Sequence, residues 1–230
     1  MMDRQSDRLA TGLRSSVYLQ MLDKLISCEY EPGSQLNEVQ LAEEYNVSRT
    51  PIREAVNRLE SQGYLRVVPK KGIYVNDVTI DDALQVFQCR IALEPLALKM
   101  AAPRLDVARL IDLKHKYMNS GHLDYLSHYY IDMEMHHYFV DQCGNKYIIE
   151  MMNRALNDNL RITIASKQDN NLVHDANEEH IQILNSLIRQ EPPSVAADLL
   201  EKHLRICCMV ALEHIRTSAS SVEDTLDTLK

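Results

Sequence analysis

Between Thr79 and Lys230 glycine occurs only at Gly121 and Gly144, while apolar residues recur every three or four positions over long stretches. A chain with so few breakers and that period folds into helices. Thr79 and Asp82 form a capping-box pattern ahead of Ala83, Val86, Phe87, Ile91 and Leu93. Pro95 is expected to end or kink that helix, with residues 96–101 continuing beyond it. The spacing predicts further helices over 107–119, 123–142, 146–165, 177–190 and 194–216. Gly121, Gly144, Asp169-Asn170-Asn171 and Pro192-Pro193 separate them. Residues 77–230 are thus expected to form an all-α bundle of about six helices.

The first 76 residues have a different chemistry. They hold four of the six glycines and none of the nine histidines. Their 10 basic and 10 acidic side chains cancel, so residues 77–230 carry the whole net charge of −8. Within this part, residues 46–76 hold six basic against two acidic side chains, a local +4. The change of composition places a domain boundary near 76–79.

Residues 1–12 read as a flexible polar arm. A helix is predicted over 13–26 from Val17, Met21, Leu22, Leu25 and Ile26, and Glu31-Pro32-Gly33-Ser34 turns the chain. A short helix follows over 38–45. A third begins with Thr50 as N-cap and Pro51 at its first position, buries Ile52, Val56 and Leu59, and stops at Gly63. Residues 65–68 and 72–75 read as strands around Pro69-Lys70-Lys71. Three helices and a β-hairpin, in residues 13–76, describe a winged helix-turn-helix.

On the third helix Arg49, Arg53 and Asn57 share the face opposite the buried stripe. Arginine reads guanine edges and clamps phosphate, and asparagine pairs with adenine. Lys70 and Lys71 sit at the hairpin tip, where phosphate or the minor groove is in reach. A basic helix face is also a common solvated surface, so charge and spacing leave both readings open.

The string from Pro32 to Val75, above all Ser48-Arg49-Thr50-Pro51-Ile52-Arg53-Glu54-Ala55-Val56-Asn57-Arg58-Leu59, resembles the DNA-binding head of GntR-type bacterial transcriptional regulators. The resemblance implies base or phosphate contacts by Arg49 and Arg53, flanked by Thr50, and wing contacts by Lys71 and Gly72. Some members carry an arginine where this chain has Val39, which leaves the operator sequence open.

In the second part the informative residues are polar ones on apolar stripes. Asp132 and His136 are four apart and share a face with Phe139, Val140 and Cys143. His180 precedes Leu184 and Leu187, and His203 lies among Leu199, Leu200, Ile206, Cys207 and Val210. One carboxylate and three imidazoles turned inward are costly unless paired or bound to metal. Such a donor set suits Zn, Mn, Fe or Ni better than Mg or Ca. A single inward histidine is ordinarily a hydrogen-bonded core residue, and spacing alone does not show that the four converge. His115, His122, His128, His137 and His214 read as exposed or locally bonded, and His174 as part of a polar turn.

The segments around Arg90 to Glu94, Asp132 to Asn145, and Glu179 to His203 resemble the C-terminal ligand-sensing domain of the FadR-type branch of GntR regulators. The resemblance implies a divalent metal held by Asp132, His136, His180 and His203, completed by a small carboxylate. It also implies Arg90, Asn145 and Arg161 as effector contacts.

The remaining features narrow the class. No glycine-rich phosphate loop and no nucleophile-elbow motif occurs. Five cysteines without a CxxC spacing, including Cys207-Cys208, read as reduced thiols. The longest apolar run, Ile206 to Leu212, is far short of the ~20 residues that span a bilayer. With a polar N-terminus this predicts a cytoplasmic protein with no membrane partner. The expectation is therefore a mainly α transcription factor, a repressor and homodimer that reads a near-palindromic DNA operator under control of a small organic acid. Its rivals are a metal-dependent hydrolase and a DNA-binding protein whose second domain senses nothing.

Overall fold

The computed structural model describes residues 17–121, 125–166 and 176–227. The arm expected at 1–12, the start of the first helix, His122 and His174 lie outside them. Backbone contacts divide the chain into two compact units, Met1–Val78 and Thr79–Lys230.

In the first unit, α1 (17–26) buries Val17, Met21 and Leu25. The helix α2 (Glu38–Glu44) starts at Asn37, whose side chain accepts from the Val39 N–H. It ends at Tyr45, and Asn46 turns the chain with φ of 50°. The next helix, α3 (Arg49–Ser61), has Ser48 and not Thr50 at its N-cap position, with no side-chain capping bond. Pro51 therefore stands at the third helical position, where a missing N–H still costs nothing because the first-turn N–H groups have no partner in the helix. Ile52, Val56 and Leu59 pack α3 onto Leu25, Leu41, Ile73 and Val75. Gly63, with φ of 82°, follows its C-cap Gln62.

The wing consists of β2 (Leu65–Val68) and β3 (Gly72–Val75), antiparallel with Val67 opposite Ile73. A third strand, β1 (Gln35–Leu36), pairs with β3 and gives the order β1-β3-β2. The sequence did not predict β1, since two residues are too few to show alternation.

The second unit opens with α4 (Ile80–Ala101), and the Thr79–Asp82 capping box is formed in full. Pro95 does not end this helix. A proline inside a helix removes one N–H bond and crowds the preceding turn. Here Pro95 is buried, and α4 packs against α6, α7 and α9, whose contacts hold both halves in line. A 3₁₀ turn leads to α5 (Val107–Met118), followed by α6 (Tyr125–Asp141), α7 (Lys146–Ala165), α8 (Asn177–Ile188) and α9 (Pro193–Asp227). The last helix runs past the expected residue 216, because neither glycine nor proline interrupts 217–227.

Two apolar cores flank α4. Leu98 joins Leu110, Leu113, Phe139, Ile183, Leu184, Leu200 and Leu204. Ala97, the residue before it, joins Val140, Met152 and Leu156. The site described next is built from α4, α6, α8 and α9.

Candidate nucleic-acid interface and metal centre

In the first unit Arg49, Thr50, Arg53 and Asn57 are all exposed along α3, opposite its buried stripe. Arg53 Nε donates to Glu38 Oε2 on α2 at 2.9 Å, which ties the two helices together across the turn. Arg58, on the same helix, lies over the Tyr18 ring at 3.7 Å and so belongs to the packing of α1. Lys70 and Lys71 are exposed at the wing tip, where Lys70 takes a φ of 64°. Gly72 has φ of 126°, and a Cβ there would lie 2.6 Å from Gln35 Nε2. That amide donates to the Lys71 carbonyl at 2.7 Å, so Gly72 makes room for the bond that joins β1 to the wing tip.

In the second unit Asp132, His136, His180 and His203 converge. One donor atom from each lies within 4.8 Å of the others. His136 is fully buried and His180 and His203 are 2% exposed. His180 Nε2 stands 3.1 Å from His203 Nε2 and 2.8 Å from Asp132 Oδ1, and His136 Nε2 is 3.5 Å from the same oxygen. Asp132 Oδ1 and His136 Nε2 are buried, and neither has a partner in hydrogen-bonding geometry. Donors bound to one ion at about 2.1 Å stand roughly 3 Å apart when adjacent. The separations and the orphaned atoms both fit a divalent metal.

Behind these donors stand two carboxylates that sequence reasoning did not single out. Glu94 on α4 accepts from His136 Nδ1 through Oε2, while its Oε1 accepts from Arg90 Nε at 2.5 Å. Glu179 Oε2 accepts from His203 Nδ1 at 2.9 Å. With the Nδ1 proton held by a carboxylate, it is Nε2 of each of these two rings that would give its lone pair to a metal once the ring is neutral. The Tyr117 ring lies against His180, with centroids 4.7 Å apart. Glu94 had a signal in its i,i+4 spacing from Arg90. Glu179 had only its place beside His180.

Burial would lower the His136 pKa, but Glu94 and then Asp132 outweigh it and hold the imidazole at about 9. Burial and then the His180 charge push His203 down to about 4. Burial would raise Glu94, yet Arg90 and then His136 keep its carboxyl at about 2. Asp132 likewise stays well below the usual carboxylate range, because His136 and His180 outweigh its desolvation.

The three expected effector residues do not share one environment. Arg90 is 2% exposed and engaged with Glu94. Arg161 is buried on α7. Asn145 is the N-cap of α7, its side chain accepting from the Tyr147 and Ile148 N–H groups. Cys207 Sγ lies beside the His203 ring, 3.5 Å from Nε2 and 3.8 Å from Nδ1. Near-equal distances to both nitrogens place it over the ring's flank and not along the Nε2 lone pair. His128 and His137 are locally bonded, to the Ser120 carbonyl and to Asn153 Oδ1. His214, expected to be exposed or locally bonded, is buried and not exposed.

Residues 13–75 match the family of bacterial regulatory proteins named gntR, and residues 85–206 match the FCD domain. The Nta operon transcriptional regulator of Aminobacter aminovorans is 28% identical over 201 residues, which cover 86% of this chain and 93% of that one. The HTH-type regulator YdhC of Bacillus subtilis is 34% identical over 97 residues, 42% of this chain and 43% of that one. Among solved structures, a GntR regulator of Rhodococcus sp. RHA1 aligns with a TM-score of 0.71 at 19% identity, covering 87% of this chain and 97% of its own. McbR/YncC of E. coli aligns at 0.64 and 19% identity, covering 93% and 98%. These two show the fold. The family and its relatives are regulators of transcription and not enzymes. With both of its units accounted for, the chain belongs to the GntR family of bacterial transcriptional regulators, in the branch that carries an FCD ligand-sensing domain.

Proposed function

We propose that the protein is a cytoplasmic repressor, acting as a homodimer on a near-palindromic operator, whose DNA affinity is set by a small carboxylate bound at a divalent transition metal. Arg49, Arg53 and Asn57 read the operator's bases, Thr50 and the wing residues Lys70, Lys71 and Gly72 follow its backbone, and Asp132, His136, His180 and His203 hold the metal, whether Zn, Ni, Mn or Fe. When bound, the metal offers its remaining positions to carboxylate oxygens, with Arg90 and Arg161 as the buried cations of the expected set. The observation that carries this reading is the convergence of four metal-type residues, three of them with a buried atom that lacks a hydrogen-bond partner, backed by Glu94 and Glu179. RspR of Escherichia coli, 26% identical over 102 residues, bears the name of a transcriptional repressor, which supports the sign of regulation. Effector control requires a coupling of about 1–3 kcal/mol between the two units.

The experiment uses the full chain. Elemental analysis before and after chelation gives metal content. Sedimentation gives the oligomeric state. Selection from random duplex DNA supplies the operator, and anisotropy titrations then compare loaded and chelated protein with and without small carboxylic acids. About one transition metal per chain, a dimer, and an operator affinity that an acid weakens only in the loaded protein are expected. Protein that takes up no metal from Zn, Ni, Mn or Fe would reduce the four residues to a polar core.

A further inference from the structure

Along α7 the buried stripe changes character. Met152, Ala155 and Leu156 are apolar, whereas Asn159 and Thr163, which continue the same face beside Ile162, and the C-cap Ser166 are polar and buried. Asn159 is 3% exposed. Its Nδ2 donates to the Tyr129 hydroxyl at 2.5 Å, and that hydroxyl also bonds Thr163. Asn159 Oδ1 is buried without a hydrogen-bond partner. Buried acceptors are nearly always paired, so an orphan points to a donor that the protein itself does not supply.

The surroundings connect this oxygen to the metal centre. Tyr129 stands one turn before Asp132 on α6, and its hydroxyl lies in the fields of both Arg90 and Asp132. The amide is thereby tied to a hydroxyl that feels the charges of Asp132 and of Arg90, the buried cation of α4. A ligand whose carboxylate meets the metal and whose chain extends towards Tyr129 would bring its next atoms to this amide.

We infer that Asn159 is the specificity-determining residue of the sensor: its Oδ1 accepts a hydrogen bond from a hydroxyl or amine borne by the effector acid. The inference rests on the proposed carboxylate-at-metal reading and deepens it. Discrimination follows from the cost of the alternative. An acid lacking the donor leaves Oδ1 unpaired in a dry site, whereas one that carries it satisfies the oxygen, and sites built this way reject the deficient analogue strongly. Tyr129 is the positioning residue, since its hydroxyl fixes the amide.

The test measures binding of matched acids to the metal-loaded full chain by calorimetry. The pairs are glycolate and acetate, lactate and propionate, malate and succinate, aspartate and succinate, and citrate and tricarballylate. In at least one pair the donor-bearing acid should bind tenfold or more tightly. Asn159→Leu, which keeps the volume and removes the acceptor, should shrink that ratio to about twofold by weakening the donor-bearing acid and tightening the deficient one, with the metal content unchanged. Tyr129→Phe retains the ring and should reduce the preference in part, which guards against an Asn159 variant that fails to fold. Equal binding within every pair, or a preference that survives Asn159→Leu, overturns the inference and means that ordered water pairs Oδ1. If no acid binds loaded protein at all, the carboxylate reading fails, a result distinct from binding without preference.

Discussion

Arg53 Nε and Glu38 Oε2 are 2.9 Å apart, so an exposed guanidinium of α3 is aimed by a carboxylate on the neighbouring helix. Both side chains are substantially exposed, and the pair matters for orientation more than for stability. In anisotropy titrations at fixed salt, Arg53→Ala and Arg49→Ala should each weaken specific binding by about 1–3 kcal/mol per contact while leaving the melting temperature unchanged. Glu38→Gln should lower the ratio of specific to nonspecific affinity without reducing nonspecific binding, because the positive charge is kept and only its aim is lost. Unaltered operator affinity in both arginine variants would move the reading face off α3.

Glu94→Gln and Glu179→Gln each replace the carboxylate behind a histidine of the proposed metal site with a neutral amide. Metal affinity, measured by competition with a chromogenic chelator, should fall about 10–100-fold in each, as for other carboxylate–histidine–metal arrangements. The Glu94 variant should also lower stability, since Arg90 would lose the buried partner that now holds it. Affinities equal to wild type would make these carboxylates ordinary core ion pairs.

Metal uptake should release protons. In the metal-free protein His136 keeps its proton up to about pH 9, and a metal must displace it. An indicator dye in weakly buffered solution at pH 7.5 should report about one proton released per ion bound, and apparent affinity should rise with pH up to about 9. The same group sets a sign for stability without metal. Its folded pKa is raised, so its contribution is complete below the ordinary value near 6.5 and is lost as pH rises through about 9. His203 acts in the opposite sense: its lowered pKa makes stability fall as pH drops from about 6.5 towards 4. Metal binding that releases no protons would show that His136 is neutral.

Gly72→Ala should loosen the wing. The left-handed φ and the approach of Gln35 both oppose a side chain there. Amide exchange at residues 35–36 and 72–75 should speed up, and operator affinity should fall with little change in global melting, because the β1–wing bond lies outside the head's apolar core. An unchanged exchange pattern would mean that Gln35 yields freely.

How much of this was written in the sequence depends on range. Arg49, Arg53 and Asn57 lie on one helix, where a period of 3.6 assigns a face, and the same rule joined Asp132 to His136. That His180 and His203 meet them depends on how helices cross, which no single helix encodes; resemblance supplied it. Glu94 and Glu179 were hidden for the same reason, since each acts on a ring carried by another helix. Thr50 and Ser48 are both good caps, and sequence could not choose between them. Asn159 did leave a mark, as the first polar residue on a stripe that is apolar up to Leu156, but only the bond to Tyr129 and the orphaned oxygen give that mark a meaning.

The helix that presents Glu94 to His136 is also the one by which the chain leaves its first unit. From the capping box at Thr79 to Glu94 runs about 22 Å of unbroken α4, at 1.5 Å per residue. Such a rod is stiff over that length, so it converts angle into travel. A tilt of only about 5° about the Glu94 end would carry the Thr79 end through roughly 2 Å, the size of shift by which packed helices switch between arrangements. The carboxylate bonded to His136 and the linker to the first unit thus lie at the two ends of one such rod, so a small change of angle at one end is a displacement at the other.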